Sequence, residues 1–264
     1  RLYVYIDVPT LSCTYVNILI QQVNSGKQWL PDIIQYANLS LHFGVLSMTS
    51  IILAGGKSSR LGRNKSLQYI GDKSLVQWVV DRLTILSTEI IIATAHGESI
   101  PFSSAVKIKT VADIYPGKGP LAGIHSGLIA SPSSQAIVVS CDTPFLSVSL
   151  LKYMIQTAHS FDAVIPRIKD KVEPLCAVYS RNCLAPIQEL LEQNELKIRR
   201  LFSMVSVRYI EEDEITRFDP EHLSFFNINN QADLERARKL AAERGWLTLR
   251  HESDSCSTPL IPPF

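Results

Sequence analysis

The residues with the most chemistry in their types and spacing lie in one stretch, Leu53 to Lys65, which reads LAGGKSSRLGRNK. Gly55 and Gly56 follow an apolar run, Thr49 to Ala54, that has the character of a buried parallel strand. With no side chains at the bend, several backbone N–H groups can turn toward one anion, while Lys57, Arg60, Arg63 and Lys65 surround it with positive charge. That combination makes a cradle for a nucleoside triphosphate. Spacing excludes two familiar cradles. In a P-loop ending at Gly56-Lys57-Ser58 the first glycine would fall at Ile51, inside the strand. In a dinucleotide-binding turn the third glycine would fall at Ser59, and Gly62 comes too late. A glycine turn with solvated basic residues is the plainer alternative.

Acidic and amide side chains supply the other half of the chemistry. Ala136 to Ser140, AIVVS, is the most strand-like run in the chain and delivers Asp142 to its C-terminal end, where open α/β sheets bind their ligands. Mg²⁺ is usually held by one or two carboxylates plus substrate phosphates, so Asp142 suits a metal ligand. Its alternative is a turn aspartate accepting backbone hydrogen bonds, and Asp113, before Tyr115-Pro116-Gly117, has the same alternative. Asn227 and Asn229 alternate along a predicted strand end and would face a ligand or a metal water together, or serve as caps. Arg199 and Arg200 can bind phosphate or sit on a solvated helix face. The reaction these parts suit is nucleotidyl transfer to a phosphate acceptor, which is already ionised at neutral pH and needs no general base. No two histidines stand at metal spacing, and Cys141 has no base partner, which makes it a packing residue.

Positioning such groups takes a sheet with helices on both faces. Ser74 can cap a helix carrying Leu75, Val76, Val79, Val80, Leu83 and Leu86. Strands are expected at 89–93 and 105–111, and a helix opened by Pro120 at 120–130, after a second mobile loop, 113–123, facing the first. Ser147 opens a further helix with Leu150, Leu151, Met154, Ile155 and Ala158 on one stripe. Strands follow at 161–165, 175–179 and 205–210, helices at 182–192 and 199–204, and a last helix capped near Asn230 and ended by Gly245. The alternation predicts an α/β fold, a Rossmann-like three-layer sandwich with a mostly parallel sheet.

The 264 residues, 46% hydrophobic and 19% charged, allow one large or two small domains with ample core. A net charge of +1, with basic residues concentrated locally, fits small anionic ligands and argues against a nucleic-acid partner. Five widely spaced cysteines without a CxxC pair point to a reducing compartment and no structural zinc. No apolar run reaches the roughly 18 to 20 residues of a membrane span, and no leader is evident, so a cytoplasmic protein without a membrane partner is expected. Residues 1–47 have no sustained period and read as an upstream extension, with the nucleotide domain starting at Met48 and running to 245; residues 246–264, with Pro259, Pro262 and Pro263, read as a loose tail.

Five segments, LAGGKSSRLGRNK, DIYPGKGPLAG, CDTPF, EPLCAVY and FNINNQADL, resemble in order and spacing the molybdenum cofactor guanylyltransferases, the MobA family of the nucleotidyltransferase superfamily, over about residues 48–243. The resemblance implies a nucleotide-diphospho-sugar transferase type of fold. It implies transfer of GMP from GTP to Mo-molybdopterin with Mg²⁺, and partners among molybdoenzymes or other proteins of cofactor biosynthesis. It places Leu53, Ala54, Gly55 and Gly56 along the GTP site, Lys65 on its phosphates, Arg60 as the charge-stabilising arginine, Asp113 on the nucleotide and Asp142 on the metal. Arg199, Asn227 and Asn229 fall on the molybdopterin half. One departure is Ala93, where some members have asparagine, leaving Thr94 to supply a polar contact. A cytidylyltransferase acting on the same cofactor shares this layout, and a non-catalytic carrier of GTP or molybdopterin would share the loop without needing Asp142.

Overall fold

The computed structural model describes residues 48–55, 68–97 and 101–246. The expectations for 1–47, for the tail beyond Trp246, and for Gly56, Arg60 and Lys65 lie outside the described residues. Strand β1 (Thr49–Leu53) is buried along its whole length because it has a parallel neighbour on each side and helices over both faces. The neighbours are β4 (Glu89–Thr94) and β6 (Gln135–Ser140), which pair Ile51 with Ile91 and with Val138. Between β1 and β4 stand a short hairpin, β2 (Tyr69–Ile70) and β3 (Lys73–Ser74), and helix α1 (Leu75–Leu83). Ser74 Oγ accepts from the Gln77 amide at 3.3 Å, satisfying one of the free N–H groups of the first turn and contributing about 1 kcal/mol.

Alternate residues of the same strands feed two cores. Ile52, Ile90, Ile92, Ile137 and Val139 face α1 and helix α3 (Val148–Thr157); Ile51, Leu53, Ile91 and Val138 face α2 (Pro120–Ala130) and α4 (Leu184–Glu192). This is the three-layer sandwich expected. Helix α2 lies unusually close to β1. A Cβ on Gly127 would stand 2.5 Å from Ile51 Cγ2, and one on Gly123 would stand 2.9 Å from Leu53 Cδ2. The glycines of this helix therefore serve helix-on-strand contact.

The remaining strands are β5 (Lys107–Ala112), β7 (Ala163–Ile168), β8 (Lys171–Val172), β9 (Cys176–Ser180) and β10 (Val207–Ile210). Their order across the sheet is β10-β7-β9-β6-β1-β4-β5, with β8 paired to β7. All neighbours are parallel except β9, which runs against β6 and β7, and β8, which runs against β7. From β1 the chain builds outward to β4 and β5, then returns to place β6 on the other side of β1. The order reverses there, and the crevice between the C-terminal ends of β1 and β6 is where such a sheet binds ligands.

Three local expectations are corrected. Helix α1 stops at Leu83, leaving Leu86 in the turn beyond it. Residues Ile198–Ser203 form a 3₁₀ turn in place of a regular helix. Residues 226–229 form no strand: a 3₁₀ turn at Leu223–Phe225 leads directly to the Asn230 cap of helix α6 (Gln231–Glu243). Helix α5 (Glu212–Phe218) carries no apolar stripe, since only Ile215 is buried; three acidic residues in its first turn and the Glu214 carboxylate, accepting from the Glu211 amide at 3.0 Å, hold its start.

Candidate active site

Strand β1 ends at the crevice with Leu53, Ala54 and Gly55. The Ala54 amide donates to Ala93 O at 2.8 Å, so the chain stays against β4 as it leaves the sheet. A Cβ on Gly55 would stand 3.0 Å from Ala95 N and 3.5 Å from the Thr94 carbonyl carbon, so this position needs a residue without one. Across the switch point the Cys141 amide donates to Leu53 O at 3.2 Å. The next residue, Asp142, thus stands beside the start of the glycine bend. Ser140 Oγ donates to Asp142 Oδ1 at 2.5 Å, and Thr143 Oγ1 donates to Ser140 O at 2.9 Å, so the turn after β6 is held by hydroxyls on both sides. Cys141 is buried in the first core, in keeping with a packing residue.

The Ile228 amide donates to Asp142 O at 3.0 Å, which fastens the 226–229 segment to the same turn. Ile228 is buried and its neighbours Asn227 and Asn229 are exposed, so the alternation predicted from a strand is present without the strand. Asn227 Nδ2 donates to Phe225 O at 3.1 Å, and the Asn229 amide donates to Asp233 Oδ2 at 2.9 Å, part of the cap of α6. Behind them Phe145 is the hub of an aromatic cluster, with ring centroids 5.9 Å from Trp78, 6.0 Å from Phe226 and 5.3 Å from Trp246.

Asp113 follows β5 at the same end of the sheet, its amide donating to Thr94 O at 2.9 Å. Its Oδ1 is buried without a hydrogen-bond partner among the described residues, as is Thr94 Oγ1. Burial pushes the Asp113 carboxyl up to about 6, against the smaller opposing pull of His96. Ala93 and Leu53 both border the helix glycine, Gly123, that Asp113 Oδ1 overlies at 3.6 Å from the ideal Cβ position. The loop beyond Asp113 is pinned: the Ile114 amide donates to Ser126 Oγ at 2.8 Å, Tyr115 lies edge-on to His125 at 5.4 Å, and Lys118 Nζ donates to Leu191 O. These contacts hold Ile114 and Tyr115 against α2 and turn Lys118 onto α4.

On the far side of Asp142 the rim is formed by the β7–β8 hairpin and the start of β9. Arg199 is exposed there, close enough to lower the pKa of Glu173, a half-buried carboxyl raised by burial. Glu173 stands in the EPLCAVY segment but drew no role from sequence, because a lone acid before a proline has no distinguishing spacing. Among the described residues, no group of three or more His, Cys, Asp or Glu side chains stands together to hold a metal, and no helix is long and apolar enough to cross a membrane. Cys176 and Cys183 are buried, and burial pushes the Cys183 thiol up to about 12. A cavity of ≈ 480 Å³ lined by Asp162, His159, Arg181 and Asn182 opens at the opposite end of the sheet, away from the switch point.

Residues 50–211 match the family described as MobA-like NTP transferase domain. A molybdenum cofactor guanylyltransferase of Desulfosudis oleivorans is 34% identical over 194 residues, 72% of this chain and 94% of that protein. A protein of Pelotomaculum thermopropionicum named as a probable molybdenum cofactor guanylyltransferase is 33% identical over 207 residues, 77% of this chain and all of its own length, 100%. Among solved structures, molybdopterin-guanine dinucleotide biosynthesis protein A from Archaeoglobus fulgidus superposes with a TM-score of 0.63 at 25% identity, covering 74% of this chain and 100% of that one. The 2-C-methyl-D-erythritol 4-phosphate cytidylyltransferase of Thermus thermophilus shares the fold, with a TM-score of 0.56 at 17% identity over 74% of this chain and 99% of that one. Sheet order, switch-point crevice and family match agree: the chain belongs to the MobA-like NTP transferases and is a nucleotidyltransferase of the group that includes the molybdenum cofactor guanylyltransferases.

Proposed function

We propose that the chain transfers GMP from GTP to Mo-molybdopterin, forming the guanine dinucleotide cofactor and pyrophosphate, with Mg²⁺. The observation that carries this reading is the Cys141 N to Leu53 O hydrogen bond of 3.2 Å, which sets the glycine bend and the Asp142 carboxylate on adjoining strand ends. In the reaction an ionised phosphate oxygen of the acceptor bonds to the α-phosphorus of GTP. The bond from that phosphorus to the α–β bridging oxygen breaks, and its electron pair leaves with pyrophosphate. No proton has to be removed first, so catalysis rests on holding polyanions in line and stabilising the charge of the leaving group.

Leu53, Ala54, Gly55 and Gly56 line the nucleotide, Asp113 contacts it, and Lys65 and Arg60 bind the triphosphate and offset its charge. Asp142 is a hard oxygen donor at an open strand end, oriented by the Ser140 hydroxyl, which fits a Mg²⁺ ligand. Bound there, the ion supplies positive charge to the phosphates. Arg199, Asn227 and Asn229 hold the molybdopterin half, and molybdoenzymes or other proteins of cofactor biosynthesis receive the product. The setting is cytoplasmic.

The test is pyrophosphate release from the full chain given Mg²⁺, Mo-molybdopterin and either GTP or CTP. Release with GTP alone supports the proposal. Release with CTP alone makes the chain a cytidylyltransferase, and release with neither makes it a carrier.

A further inference from the structure

The rim at the C-terminal end of β6 carries a carboxylate, Glu173, to which the proposed phosphate chemistry gives no role. Ser140 N donates to Leu175 O at 3.0 Å, the last bond between β6 and β9, so the residues just before Leu175 stand at the same end of the sheet as Asp142. Glu173 is fixed there by its backbone: its amide donates to Pro166 O at 2.9 Å and its carbonyl accepts from Cys176 N at 3.2 Å. Pro174 is held by the hydroxyl of the fully buried Tyr179, 2.9 Å from its carbonyl oxygen. The backbone of the segment is therefore held in place, and the side chain it presents is half-buried, within electrostatic reach of Lys171 and Arg199.

Three other acids on this half of the sheet have structural partners. Glu211 pairs with Arg167, Glu214 with Arg208 at 2.7 Å and with the Tyr153 hydroxyl at 2.6 Å, and Asp219 accepts from the amides of Leu223 and Ser224 at 3.1 and 2.8 Å. No described residue donates a hydrogen bond to the Glu173 carboxylate. A half-buried carboxylate that accepts no hydrogen bond from a described residue, on a segment held by its backbone, is suited to a ligand that brings its own donors.

We propose that Glu173 binds the 2-amino-4-oxo edge of the acceptor's pterin ring, with its two oxygens accepting from the ring N–H and the exocyclic amine. The inference rests on the acceptor being a pterin, as in the function proposed above. That edge carries two parallel donors, and a carboxylate is the side chain with two acceptor oxygens at matching separation. Arg199, exposed and within electrostatic reach of Glu173, remains available for the phosphate of the same molecule. A site built around such a pair rejects an analogue that lacks one donor far more strongly than an apolar pocket would.

Equilibrium binding of 6-hydroxymethylpterin and of its 2,4-dioxo counterpart to the full chain, read by ligand fluorescence, tests it. The unmodified chain should prefer the amino compound by about 10- to 100-fold, the worth of a charge-assisted pair. Glu173→Gln, which presents one donor and one acceptor, should erase or reverse that preference without lowering the melting temperature or the GTP affinity. Glu173→Asp should retain part of it. Equal binding of the two compounds, binding of neither, or a Gln variant with the original preference overturns the proposal. A preference lost in the Gln variant, in a chain that releases no pyrophosphate from GTP, leaves the pterin site standing and removes the guanylyltransferase reading instead.

Discussion

The two halves of the sheet are held by different physics. On the nucleotide side β1, β4 and β6 are continuous apolar runs, buried on both faces and joined by unbroken parallel ladders. On the acceptor side the strands are short or change direction, and polar groups close the gaps. Asp162, just before β7, accepts from Ser206 N at 3.0 Å, Asn182 Nδ2 at 2.8 Å and Ser180 Oγ at 3.4 Å, linking the strand ends around the cavity at that end of the sheet. Arg167 with Glu211, and Arg208 with Glu214 and Tyr153, tie α5 and β10 to the sheet. Apolar ladders make a rigid floor beneath the switch-point crevice, and polar fasteners hold the other half where the ladders are shorter or reverse direction.

Substitutions should separate the two kinds of support. The largest effect belongs to Phe145, whose ring joins the Asp142 turn to α1 and α6. Phe145→Ala should lower stability by about 3 to 5 kcal/mol in urea unfolding. A cost below 1 kcal/mol would mean that the aromatic cluster does not anchor that turn.

Asp162→Ala should cost about 1 to 1.5 kcal/mol at neutral pH, since it removes the acceptor of the Ser206 amide and the Asn182 side chain, both of which can turn to water. The Ser206 and Asn182 hydrogen bonds hold the Asp162 carboxyl below its ordinary value of 3.8. Its contribution is therefore present above the unfolded value and lost as pH falls through the folded one. The difference between the two proteins should shrink in acid, and a gap that stays constant down to about pH 2 would assign it to lost packing.

The smallest effect has the opposite sign. Burial raises Asp113 from 3.8 to about 6, so its ionised form burdens the folded state, and the burden appears as pH rises from the lower value to the higher. Asp113→Asn should raise the melting temperature by about 2 to 4 °C at pH 7, equivalent to about 1 kcal/mol in a domain of this size, while weakening GTP binding. Below about pH 5 the gain should fade, because the native carboxyl is then protonated. Equal melting at both pH values would remove the claim that Asp113 is held at the site against its own solvation.

This contrast also explains what could be read from residues alone. Strand β1, the apolar run ending at Ser140 and the capping Ser74 were visible because burial on two faces leaves uninterrupted Val and Ile, and a cap has few residue types to choose from. Asp113 and Asp142 were visible as acids at strand ends. Helix α5 was not, since its start is stabilised by charge and one buried isoleucine leaves no period to detect. The exposed–buried–exposed order of Asn227, Ile228 and Asn229 imitated a strand because a single hydrogen bond to Asp142 O draws Ile228 inward. Glu173 was hidden for a related reason: its place depends on where the β6–β9 ladder stops, which no local pattern records.

The central claim is that Asp142, at the end of β6 beside the glycine bend, carries the metal on which transfer from GTP depends. It is tested most directly by pyrophosphate release from Asp142→Ala across a wide Mg²⁺ titration, alongside a thermal melt. The account predicts an unchanged melt and a loss on the order of 10²- to 10³-fold that added Mg²⁺ does not restore. Full activity at ordinary Mg²⁺ would contradict it.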